Sequence, residues 1–106
     1  MTYVGDFDPG DTFNTKFTTV NTSGAPTTFT GSAAVSVYKD NSITQSTSGV
    51  TLTVDFDGMT GSNNVNISTG SDGTFYSAGS AFQLVATAGT VGGQSIIGYT
   101  LREFSI

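Results

Sequence analysis

Two Asp-Phe-Asp triplets, Asp6-Phe7-Asp8 and Asp55-Phe56-Asp57, hold the residue types in this 106-residue chain whose spacing could do chemistry. Residues two apart on a strand share a face, so Asp55 and Asp57 would present paired carboxylates while Phe56 packs inward. Ca²⁺ takes such carboxylates together with further oxygen donors, and Asp72 or Asn63 could supply those. Asp55, Asp57 and Asp72 are therefore the candidate metal ligands, and the same argument applies to Asp6 and Asp8. The spacing departs from the dense acidic loop of an EF-hand. A plainer reading makes Asp57-Gly58 a turn and Asp55 a solvated outward residue. That reading carries more weight, and on it the chain has no cofactor.

Other chemistry is bounded by what is missing. The chain has no His, no Cys and no Trp, whereas Thr (19) and Ser (13) make up nearly a third of it. Without imidazole or thiolate there is no ordinary general base, no sulfur nucleophile and no nitrogen or sulfur metal ligand. A Ser–Lys pair would need Lys16 or Lys39, and both fall in positions that look exposed. A glycosidase would need two carboxylates about 5 to 9.5 Å apart across a cleft, for which a small Trp-free domain leaves little room. The expectation is a protein that is not an enzyme. Tyr38, Tyr76 and Tyr99 could stack on sugar rings, as could Tyr3, which makes them glycan candidates. Their plainer role is that of half-buried strand residues with wet hydroxyls. Asn21-Thr22-Ser23 and Asn66-Ile67-Ser68 are formal glycosylation sequons, to be expected by chance in so Asn- and Ser-rich a chain.

The net charge is −5, with Lys16, Lys39 and Arg102 the only basic side chains. Three scattered cations cannot track a phosphate backbone or an anionic bilayer, so nucleic acid and membrane are both excluded as expected partners. The start, Met1-Thr2-Tyr3-Val4-Gly5-Asp6, has neither the basic nor the apolar region of a signal peptide. A polar surface on a chain made without an export signal fits a particle component assembled in the cytoplasm. A domain cut from a secreted protein fits as well.

Positioning elements follow from alternation of period two. It predicts a strand over about 12–20 with Phe13, Thr15, Phe17 and Thr19 on one face, then a turn over 21–26 and a short strand over 27–30. Further strands are expected over 33–39 (Val35 and Val37 inward), 49–56 (Val50, Leu52, Val54 and Phe56), 63–68 (Val65 and Ile67) and 81–88 (Phe82, Leu84 and Ala86). The last runs over 94–106, after a hairpin-like connection at 89–93. No segment has a capped apolar period of about 3.6 residues, so no long helix is expected. About seven or eight short strands with regular turn signals predict an all-β, Ig-like antiparallel sandwich, a single domain spanning 1–106; a small jelly roll or barrel is the alternative.

Several stretches carry a family likeness: Tyr3-Val4-Gly5-Asp6-Phe7, Ala34-Val35-Ser36-Val37-Tyr38-Lys39-Asp40 and Asp72-Gly73-Thr74-Phe75-Tyr76-Ser77-Ala78-Gly79. Val50–Asp57 and the closing Phe104-Ser105-Ile106 fit too. With them the chain resembles small structural proteins of tailed bacteriophages and prophages, and more widely the Ig-like domains of baseplate and capsid accessory proteins. The resemblance implies a virion component made in the host cytoplasm. Capsid decoration protein is the first expectation and tail, baseplate or neck adaptor the second, with other virion proteins and copies of itself as partners. A carbohydrate-binding or adhesin-type sandwich is the competing class.

Overall fold

The computed structural model describes residues 2–106. Nine strands form among them: β1 (Thr2–Asp6), β2 (Thr12–Thr18), β3 (Phe29–Lys39), β4 (Gln45–Ser46), β5 (Val50–Thr53), β6 (Ser62–Ser68), β7 (Ala81–Val91), β8 (Gln94–Ser95) and β9 (Thr100–Ser105). They build a β-sandwich of two sheets. One is ordered β1-β9-β7-β3-β4, with β8 beside the far end of β7; the other is β2-β6-β5. All pairings are antiparallel except β1 with β9. The set β2-β6-β5 facing β3-β7-β9 has the strand order of an immunoglobulin-type sandwich. That describes architecture, which by itself carries no function.

The alternating apolar residues account for the layers. Phe13 and Phe17 from β2, with Val65 and Ile67 from β6, close against Val35, Val37, Phe82, Leu84, Ala86 and Phe104 of the larger sheet, and all are buried. Where antibody domains place a disulfide and a Trp, this chain has a run of rings. Phe7 stacks on Phe13 at 3.9 Å, Phe13 meets Phe104 edge-on at 4.9 Å, and Phe104 stacks on Phe82 at 5.0 Å. Phe75 and Tyr76 continue it, each 5.7 Å from Phe82.

Tyr76, between β6 and β7, is 1% exposed, and its phenol donates to the Ser48 carbonyl at 2.8 Å. Burial first, and the Asp72 carboxylate second, push its pKa from 10.0 up to about 12. A phenol that keeps its proton longer when folded favours the fold fully below pH 10. That contribution disappears as pH climbs through the folded value. Tyr76→Phe should cost about 1 kcal/mol at neutral pH by leaving Ser48 unpaired. It should also flatten the alkaline fall in stability that wild type shows between pH 10 and 12. Urea unfolding across that range is the check, and parallel wild-type and mutant curves would refute the assignment.

Several elements differ from the expectations above. The short strand over 27–30 and the strand over 33–39 are one continuous β3, bent by a bulge in which Gly31 and Ser32 both have positive φ. The strand expected over 49–56 ends at Thr53. Asp55 (φ 52) then turns the chain left-handed into a 3-10 turn, Phe56–Gly58. Phe56 consequently does not pack inward; it is half-buried, with the Lys16 ammonium 4.4 Å from its ring centre. The final strand is interrupted at 96–99, and β1 was not anticipated.

Candidate functional site

The carboxylates read as Ca²⁺ candidates take separate, local roles. Asp55 accepts from the Thr28 hydroxyl at 2.8 Å and from the Gly61 amide at 2.9 Å, tying the turn after β5 to the approach of β3. Asp57 is exposed at φ 58. Asp72 accepts from the Phe75 amide at 3.1 Å, holding the loop that carries Tyr76. Asn63 is wholly buried and directs its NH₂ to the Phe17 and Gly61 carbonyls and the Thr19 hydroxyl. Asp6 accepts from Tyr3 and Ser105, which fastens β1 to β9. These two hydroxyl donors, Ser105 foremost, hold its carboxyl below the ordinary value. The Asp8 amide donates to Asp11 in a local turn. Among the described residues no three acidic side chains come together as metal ligands.

Lysine and serine do meet. Lys39 donates to the Ser77 hydroxyl at 2.9 Å and to the Thr74 carbonyl at 3.3 Å, with the Phe75 ring centre 5.5 Å away. Sequence spacing gave no hint of this contact. A carbonyl acceptor and a ring face both suit an ammonium, whereas activating a serine requires a neutral amine. Lys39 here fixes the loop between β6 and β7.

The three tyrosine candidates also separate. Tyr76 is a core residue and cannot serve as a sugar platform, because its ring lies inside the sandwich. Tyr38 is half-buried and accepts from the Gln45 side chain at 3.0 Å. Tyr99 is 61% exposed, and it stands at the mouth of an open cleft of about 450 Å³.

That cleft is a concavity whose position follows from how the sheets close. β2 and β9 are near-facing strands of opposite sheets. Arg102 straps them together: its Nε donates to the Thr15 hydroxyl at 3.2 Å and its Nη2 to the Lys16 carbonyl. Beyond that strap β9 gives way to the interruption at 96–99. There the Gly98 amide donates to Ala86 and the Ala86 amide to Tyr99, so the backbone stays attached to β7 while it bulges. The bulge buries Ile96 and turns Ile97 and Tyr99 outward. At the far end Val91 pairs with Gln94 across Gly92-Gly93, a two-residue turn with positive φ at both positions. A Cβ on Gly92 would lie 3.2 Å from that of Asn21. The Arg102 strap at one end and this close approach at the other bound the space.

Its lining is divided by chemistry. Val91, Ile96 and Leu101 give an apolar floor, and Val20 and Tyr99 stand exposed at the rim. Thr18, Asn21, Thr22, Gln94 and Ser95 add hydroxyl and amide groups, and no charged side chain lines it. Sequence reasoning reached Tyr99 but not its neighbours; the doubled glycines at 92–93 and the glycine at 98 were the available signals for a turn and a break. Set against family models, curated proteins and solved structures, the chain matches none.

Proposed function

We propose that this chain is a non-enzymatic structural component of a tailed-phage virion, a capsid decoration protein ahead of a tail, baseplate or neck adaptor. The observation that carries this reading is a free edge of the larger sheet, the one formed by β1. Among the described residues β1 pairs only with β9, so its outer N–H and C=O groups form a template to which another chain can add a strand. β1 also overlaps Tyr3–Phe7, one of the stretches in which the chain resembles phage structural proteins. Its Tyr3–Asp6–Ser105 hydrogen bonds keep the strand seated for such a contact. The partners on this reading are the major capsid or tail proteins and further copies of the chain, and its place is the particle.

Quantitative mass spectrometry of purified particles is the test. A copy number comparable to that of the major capsid protein puts the chain on the shell. A small, ring-like copy number puts it in the tail or neck. Absence from intact particles would overturn the proposal.

A further inference from the structure

We infer that the cleft between β2 and the β8–β9 bulge is a binding site for a neutral saccharide. The inference does not rest on the virion reading.

Volume and charge come first. About 450 Å³ falls inside the range of roughly 300–1,000 Å³ typical of small-molecule sites. The chain carries eight acidic residues and three basic ones, yet none of them lines this space. An ionic ligand would leave water here with no counter-charge, a cost that only pairing offsets. A neutral ligand incurs no such cost.

Free polar groups narrow the class further. Thr19 is already committed, donating to Thr27 and accepting from Asn63. Asn21 accepts from the Ser23 and Ala25 amides through its oxygen, and among the described residues its NH₂ has no partner. Thr18, Thr22, Gln94 and the Tyr99 phenol likewise make no side-chain hydrogen bond among the described residues. The cleft thus offers unpaired hydroxyls and two amides over an apolar floor, with one ring held out at its mouth. A sugar presents the matching pair of surfaces: a rim of hydroxyls for the amides, and a face of C–H groups for the tyrosine. A hydrocarbon ligand would bury those polar groups unpaired, at about 1–3 kcal/mol each.

The test is an NMR titration of the ¹⁵N-labelled full chain with cellobiose, maltose, lactose and chitobiose, and with an extended neutral hexapeptide in parallel. At least one disaccharide should give saturable shifts centred on Tyr99, Gln94 and the Asn21 side-chain amide. Tyr99→Ala should weaken that binding at least about tenfold, and Gln94→Ala should weaken it as well. Both residues are exposed, so their amide spectra report whether the fold is kept. Ile43→Ser, at a 91% exposed turn position, should bind as wild type. Three outcomes overturn the inference: no saturable shift with any disaccharide, binding that Tyr99→Ala leaves intact, or saturation by the hexapeptide alone.

Discussion

Replacing Phe104 by alanine should remove about 4 kcal/mol of folding stability, the middle of the range for deleting a buried phenylalanine. Phe104 is 1% exposed and central in the ring series, stacked on Phe82 and edge-on to Phe13 and Phe7. It belongs to β9, whereas Phe13 belongs to β2, so its ring is shared by the two sheets. It also sits where Phe7 anchors the segment following β1. Truncation should therefore loosen β1 as well as lower global stability, which on the proposed function would remove the assembly edge. A small domain has roughly 5–15 kcal/mol to lose, so the variant should remain folded at low temperature with its melting point lowered by roughly 15–30 °C. Phe104→Leu keeps much of the volume and should cost under half as much. Calorimetry on the three proteins decides. A loss below about 1 kcal/mol would mean that the rings pack independently and that the sandwich has no such shared centre.

The core was legible in the sequence because burial and alternation are the same fact read twice. Every residue placed inward on β2, β6 and β7 is buried or half-buried, since one face of each strand has only the opposite sheet to contact. Strand ends were not legible. Thr53-Val54-Asp55-Phe56 continues the alternation, but Asp55 takes a left-handed conformation to reach Thr28 and Gly61. That tertiary demand leaves no local mark. β1 escaped notice because it is short and its parallel partner lies at the other end of the chain, with the pairing shifted between Tyr3 and Gly5.

The two Asp-Phe-Asp triplets show how little composition says about a site. In one, Phe7 stacks on the core and Asp6 fastens a strand; in the other, Phe56 lies beneath a lysine and Asp55 clamps a turn. Identical triplets have different neighbours. The cleft was hidden for a related reason. Ile96-Ile97-Gly98-Tyr99 reads as strand, and only the hydrogen bonds of Ala86 to both Gly98 and Tyr99 reveal the bulge that opens it.

Gly89 is the sharpest instance of a residue whose role only packing discloses, and its substitution should be as damaging as that of Phe104. In the sequence it opens a glycine-rich stretch that reads as a turn; in the fold it lies within β7, buried, with φ 123. A Cβ there would stand 2.2 Å from the Phe29 ring and 2.8 Å from the Thr30 carbonyl. Phe29 is 2% exposed and packs edge-on against Phe17, so the ring has nowhere to retreat. Gly89→Ala should cost roughly 3 kcal/mol or more, from backbone conformation and overpacking together. Gly93→Ala separates the two causes. Its φ is also positive at 79 but nothing lies within 4 Å, so it should cost only about 1 kcal/mol. If the clash dominates, Phe29→Leu in the Gly89→Ala background should recover at least about 1 kcal/mol relative to the sum of the single changes. Additive losses in urea unfolding would refute the clash. The consequence reaches the cleft, because the Gly89 carbonyl accepts from Ile96 and Val91 pairs with Phe29. The residue that makes room for Phe29 thereby sets the floor on which the proposed sugar would rest.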